Sequence, residues 1–160
     1  MTQTDAGATV IGLYTTAQAG TPLQAVPAVQ LEPGRGLIGD RYSRHVGTFS
    51  EKLQDSPDWE VTLVEIEEID RYNAATGQSL SPGALRRNLV TRGVRLNDLV
   101  GQRFRVGDAE LEGVRLCEPC AYLEGLLGPG LVKALAHRAG LRARIVRGAT
   151  VRAGDSVVAT

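Results

Sequence analysis

The chain has 160 residues, with 18 Lys and Arg against 18 Asp and Glu, so its net charge is +0 and no bulk field draws it to nucleic acid or an anionic membrane. Hydrophobic residues at 42% and charged residues at 22% are the proportions of a folded domain with a sizeable core, and no apolar run approaches the ~20 residues of a spanning helix. With 19 glycines and only 4% aromatics, the composition favours short strands and tight turns over long packed helices.

Residues 1–8 are small and polar and read as a flexible tail ahead of one domain over residues 9–160. They show neither a basic region nor an apolar core segment, so no secretory signal is expected. A cytoplasmic address follows as the expectation, and there two cysteines stay reduced.

Residues 9–16 (TVIGLYTT) predict a first strand, and residues 26–31 (VPAVQL) an edge strand or extended segment because of the prolines nearby. Gly34, Gly36 and Gly39 then describe a backbone that turns sharply or approaches something closely. No Gly-Lys-Ser/Thr follows, so no nucleotide site is assigned. Residues 43–58 predict an irregular polar loop carrying His45, which reads either as a mobile loop over a site or as an inert surface loop. Residues 61–64 read as a strand. Ile66, Ile69 and Tyr72 then recur at helical spacing, with acids in the first turn and Gly77 as a natural stop. Glu65, Glu67, Glu68 and Asp70 read as a solvated helix face and not as catalytic carboxylates.

A Pro82-Gly83 turn leads into an apolar strand ending near Thr91, and residues 96–101 form a linking turn. Residues 102–116 predict a hairpin turning at Gly107-Asp108. Residues 121–139 are leucine-rich, broken by Gly128-Pro129-Gly130, and read as two short helices. Residues 141–146 and 150–158 alternate as strands around a Gly154-Asp155 turn. The fold class is mainly β with a few short helices, and a closed or nearly closed barrel would hide so many strand edges.

The chemistry concentrates at Arg115-Leu116-Cys117-Glu118-Pro119-Cys120, which holds both cysteines. A thiolate is a strong nucleophile and a soft metal ligand. Two buried structural thiols are the plainer alternative. A zinc site is not expected, since this pair with the distant His45 and His137 does not match four-ligand spacings. A dithiol oxidoreductase is a rival reading, although a hairpin and not a βαβ unit directly precedes the pair.

Several stretches together resemble the MOSC domain, the module named for the C-terminal part of molybdenum-cofactor sulfurases. They are Gly39-Asp40-Arg41-Tyr42, the run from Pro82 to Val90, the run from Leu99 to Gly107, Cys117-Glu118-Pro119-Cys120, Gly140-Leu141-Arg142-Ala143-Arg144 and Gly154-Asp155. The resemblance spans about residues 9–158 and implies a small stand-alone member with a β-barrel-like fold and a cysteine central to function. It implies sulfur carriage, or handling of the molybdenum cofactor (molybdopterin) with a cysteine as metal ligand. Cys120 matches the ligand position of amidoxime-reducing relatives, while Cys117 stands as a resolving thiol, a packing residue or the sulfur carrier itself. Arg86 and Asn88 match the family's arginine and asparagine. Arg41, Arg86, Asn88 and Arg115 are the expected cofactor-binding residues, with arginines suited to a pterin phosphate. The companion domains of larger relatives are not expected here, so a molybdenum enzyme or a sulfur donor protein is the expected partner. The other reading is a non-catalytic barrel that binds a pterin cofactor or a protein.

Overall fold

The computed structural model describes residues 7–53 and 56–160. The expected tail lies largely outside these residues, but Ala8 is ordered, its carbonyl accepting from Val157 N at 2.9 Å.

The described residues form eleven strands and four short α-helices: β1 (Thr9–Thr15), β2 (Gln24–Val26), β3 (Ala28–Glu32), β4 (Gly36–Leu37), α1 (Ser50–Leu53), β5 (Val61–Glu65), α2 (Ile66–Thr76), β6 (Leu89–Arg92), β7 (Arg103–Val106), β8 (Ala109–Leu116), α3 (Ala121–Leu127), α4 (Leu131–Ala134), β9 (Leu141–Arg147), β10 (Ala149–Arg152) and β11 (Val157–Ala159). Gly107 and Asp108 turn the β7–β8 hairpin, where Phe104 pairs with Leu111 and Val106 with Ala109. The helix predicted after residue 65 forms as α2. It ends where Gly77 takes a left-handed conformation and donates its N–H to Asn73 O.

The strands form an eight-stranded sheet in the order β11-β7-β8-β9-β5-β6-β1-β2 and a three-stranded sheet β10-β3-β4. Neither returns on itself, so the barrel expected from strand density is not formed as a continuous ladder. A Thr9–Ser156 bridge ties the start of β1 to the turn before β11, and the second sheet covers one face. Edges are managed by layering in place of closure.

Unlike the rest of the large sheet, β5 and β6 run parallel, joined through α2. Such strands bury both faces, and here Leu63 and Leu89 point to the core between the sheets. Val64 and Val90 point to a second core under α2, α3 and α4, with Ile69, Leu123 and Leu131.

The acids of α2 do not form one solvated face. Glu65 and Glu68 are buried. Glu65 accepts from Leu96 N at 3.0 Å, and Glu68 is paired with Arg71 and Arg138. Burial pushes the Glu65 carboxyl above its ordinary range. Periodicity located the helix but could not show which turns face the neighbouring loops.

Candidate functional site

The β8–β9 ladder runs out at the Leu116–Leu141 pair, and one more backbone bond, Cys117 N to Gly140 O at 2.8 Å, carries it into the cysteine element. Gly140 has φ +128°, and a Cβ there would lie 2.1 Å from Leu63 O. Only glycine lets β9 pass β5 this closely while holding Cys117 in place. Cys117 is 1% exposed; Cys120, half-buried, begins α3, and both thiols are free.

Arg87 fixes the element from behind. Its guanidinium donates to Ala139 O at 2.9 Å, Leu85 O at 3.2 Å, Cys117 O at 2.9 Å and Glu118 O at 3.2 Å. Among the described residues no carboxylate pairs with it; backbone carbonyl dipoles absorb the charge. Arg86, its neighbour, has φ +63°, a conformation that costs a non-glycine residue about 1–3 kcal/mol. That twist sends the two adjacent side chains apart. Arg86 Nη1 donates to Thr21 O at 2.6 Å, and its guanidinium carbon sits 5.9 Å from the Tyr122 ring centroid.

Arg41 comes from the loop after β4 and is 5% exposed. It donates to Asp40 Oδ1 at 3.1 Å, while Asp40 also caps Thr16 N and Tyr42 N. The fourth arginine, Arg142, comes from β9. Register places it opposite Thr62 of β5 and opposite Arg115 of β8. Like charges directly opposed across a ladder are destabilising. Asp58 relieves Arg115, which it binds through a short ion pair. Burial opposes ionisation of Asp58, but hydrogen bonds from Ser56 and Arg115, together with the charges of Arg115 and Arg142, outweigh it and hold the carboxyl below its usual range.

Arg41, Arg86, Arg142, Thr62, Cys117 and Cys120 line one deep cavity of about 40 Å³. Arg41 Nε, Arg86 Nη2 and Arg142 Nε are buried with no hydrogen-bond partner among the described residues. Burial first, and then the like charge of Arg41, lower the pKa of Arg86 from its ordinary value. A buried anion would relieve all of these costs. Cys120, Arg142, Arg87 and Phe49 also border an outer groove of about 320 Å³, which Lys52, Arg115 and Glu118 complete.

Of the residues singled out from sequence, Cys117, Cys120, Arg41 and Arg86 therefore share the cavity. Arg115 lies in the outer groove. Asn88 is spent inside the sheet: its side-chain oxygen accepts from Thr62 N and Thr62 Oγ1, and its Nδ2 donates to Tyr14 O. It positions Thr62 and presents no free amide. His45 and His137 are exposed, His45 edge-on to Trp59 and His137 paired with Glu118. Among the described residues no three His, Cys, Asp or Glu side chains cluster as metal ligands. No helix of the described residues is long and apolar enough to cross a membrane. Sequence reasoning missed Arg142 and Thr62 as cavity residues. The signal for Arg142 was the alternation Leu141-Arg142-Ala143-Arg144-Ile145, which sets Arg142 and Arg144 together on the face away from the core.

The family model described as the MOSC domain matches residues 50–158. The chain belongs to the MOSC domain family. This family is associated with molybdenum-cofactor-sulfurase-like proteins and with molybdenum-cofactor biology. Among solved structures, the YuaD protein from Bacillus subtilis superposes with a TM-score of 0.78 at 20% identity, covering 94% of this chain and 93% of that one. YiiM from Geobacillus stearothermophilus gives 0.71 at 14% identity, over 96% of this chain and 75% of its own. YiiM from Escherichia coli gives 0.69 at 17% identity, over 94% and 69%. These likenesses establish the MOSC fold. A search of the curated proteins returns no match.

The donor set suits the cofactor associated with the MOSC family in kind, because a thiol for a soft metal stands beside guanidinium N–H groups that lack acceptors. The deep cavity is far below the ~300 Å³ of small-molecule sites, whereas the outer groove reaches that range. A bound molybdopterin would be held from the groove side, by Cys120 and by the cations of Arg142 and Arg115.

Proposed function

We propose that this MOSC domain is a sulfur-handling protein whose working thiol is Cys120, serving molybdenum-cofactor chemistry. The observation that carries this reading is the placement of a half-buried Cys120 thiol where a cation-lined cavity meets an open groove. A sulfur carrier needs its thiol reachable by donor and acceptor, and needs positive charge nearby for the anionic sulfur it holds. In that role the Cys120 thiolate attacks the outer sulfur of a donor persulfide. The donor's S–S bond breaks, its thiolate leaves with the electron pair, and Cys120 keeps the sulfane sulfur. No net oxidation or reduction is involved.

Arg87 acts here as a positioning residue, holding the carbonyls of Cys117 and Glu118. Arg41, Arg86 and Arg142 supply the positive wall. A sulfur donor protein and a molybdenum enzyme are the partners this role requires, and the outer groove is wide enough to admit one residue from either. When bound, the molybdenum cofactor would supply oxygen-atom and two-electron chemistry, and Cys120 would be its protein thiolate. The small volume behind Cys120 favours sulfur carriage over enclosure of a pterin.

The test is expression in a host that makes molybdenum cofactor, with molybdenum and persulfide measured on wild type and Cys120→Ala. Persulfide on Cys120 in the absence of metal supports the carrier. Molybdenum retained by wild type and lost in Cys120→Ala assigns the thiol to ligation instead. Two unreactive cysteines without metal refute the reading.

A further inference from the structure

The deep cavity has a chemical selectivity of its own. At about 40 Å³ it has room for about three waters, so its occupant is a small inorganic group and not the body of a cofactor. Arg41, Arg86 and Arg142 line it, and each keeps one buried guanidinium nitrogen, Arg41 Nε, Arg86 Nη2 and Arg142 Nε, without an acceptor among the described residues. They arrive from three separate parts of the chain: the loop after β4, the turn before β6, and β9. Leaving a buried charged donor unpaired costs more than leaving a neutral one, and here three are left on side chains that border one cavity. Arg41 is nine-tenths buried and more. Asp40, which Arg41 pairs with, is the one carboxylate on it and is already shared with Thr16 N and Tyr42 N. A trigonal or tetrahedral oxyanion with three outward oxygens is the group such donors match.

Phosphate and sulfate would satisfy the arginines but would make no use of the thiols. An oxyanion that also carries a transferable sulfur uses both walls of the cavity. We infer that the site accepts thiosulfate-type donors, in which a sulfonate group seats on Arg41, Arg86 and Arg142 and its sulfane sulfur meets Cys120. This rests on the sulfur-carrier reading above and names its donor class. The Cys120 thiolate attacks the sulfane sulfur, the S–S bond of thiosulfate breaks, and sulfite leaves with the bonding electron pair. Charge balances, since one thiolate and one thiosulfate dianion give one persulfide anion and one sulfite dianion. With cyanide as acceptor, the persulfide's outer sulfur passes to cyanide as thiocyanate and the thiolate returns.

The experiment uses the whole chain and two donors: thiosulfate, and a small neutral alkyl persulfide that has no oxyanion. Sulfite release and intact-protein mass are read in a single turnover, and thiocyanate formation in the steady state. The expected result is one equivalent of sulfite with one sulfur gained on Cys120, and competitive inhibition by inorganic sulfate. Arg142→Gln removes an Nε that has no hydrogen-bond partner among the described residues, so the variant should fold, as its melting curve would verify. It should lower kcat/KM for thiosulfate relative to the alkyl persulfide about 10- to 100-fold, the equivalent of one charge-assisted hydrogen bond. Persulfide from the alkyl donor with no sulfite from thiosulfate would overturn the donor class and leave the carrier reading standing. No persulfide from either donor would overturn both.

Discussion

Replacing Arg87 by methionine isolates what holds the cysteine element in place. The side chain is 7% exposed and makes four hydrogen bonds to backbone carbonyls. Methionine preserves most of the stem and removes every donor. Leu85, Cys117 and Ala139 are fully buried residues, so their carbonyls find no water, whereas Glu118 is exposed and its carbonyl rehydrates. Three stranded acceptors at about 1 kcal/mol or slightly more each give a loss of about 3–4 kcal/mol. That is a large share of the ~5–15 kcal/mol that typical domains possess, yet short of unfolding most of them. For a chain of this length it lowers the melting temperature by about 6–16 °C. The second readout is thiol access: with its carbonyl released, Cys117 should react with a thiol reagent in the native state far faster than in wild type. A melting temperature within about 3 °C of wild type, with Cys117 still protected, would refute the claim that Arg87 fixes the element.

Gly140→Ala should cost at least as much as a typical core substitution, about 2–4 kcal/mol, because the new methyl meets Leu63 O at 2.1 Å in a left-handed backbone; urea denaturation measures it, and an unchanged midpoint would sink the close-approach argument. Under native conditions an alkylating reagent should modify Cys120 and spare Cys117, which is 1% exposed; peptide mass mapping reads the ratio, and equal labelling would contradict the burial described above. Burial raises the Glu60 carboxyl above its ordinary range, although it accepts from Ile145 N and Gly34 N. Its contribution to stability is therefore full below the unfolded pKa and is lost as pH rises through the folded one. Glu60→Gln keeps an acceptor oxygen and removes the charge, so its stability relative to wild type should increase as pH rises above the ordinary glutamate range of about 4, and a flat difference in denaturation midpoint would refute the sign.

Local chemistry made much of this protein legible. Gly107 and Asp108 can only turn a chain flanked by Phe104, Val106 and Leu111, and that hairpin forms. Ile66, Ile69 and Tyr72 need a helix to share a face, and Gly77 ends it. The two cysteines directly after a strand marked an element that the fold sets beside an arginine-lined cavity, and the ordered short motifs pointed to the MOSC family. These signals act within a few residues, where backbone sterics and side-chain period decide the outcome.

The fate of each arginine was decided by the tertiary structure. Arg86 and Arg87 are neighbours of the same type and both border the cavity, yet Arg86 keeps a nitrogen without an acceptor while Arg87 is consumed by carbonyls up to 52 positions away. Arg115, two residues before Cys117, goes to Asp58, while Arg142, to which the sequence assigned no site role, borders the same cavity as the thiols because β9 pairs with β5 opposite Thr62. The parallel pairing of β5 and β6 and the open, layered sheets were likewise invisible to strand patterning. A guanidinium has a long stem and its partners lie about 3 Å away. Its role is therefore fixed by which distant segments the fold delivers to that radius, and no local pattern encodes that.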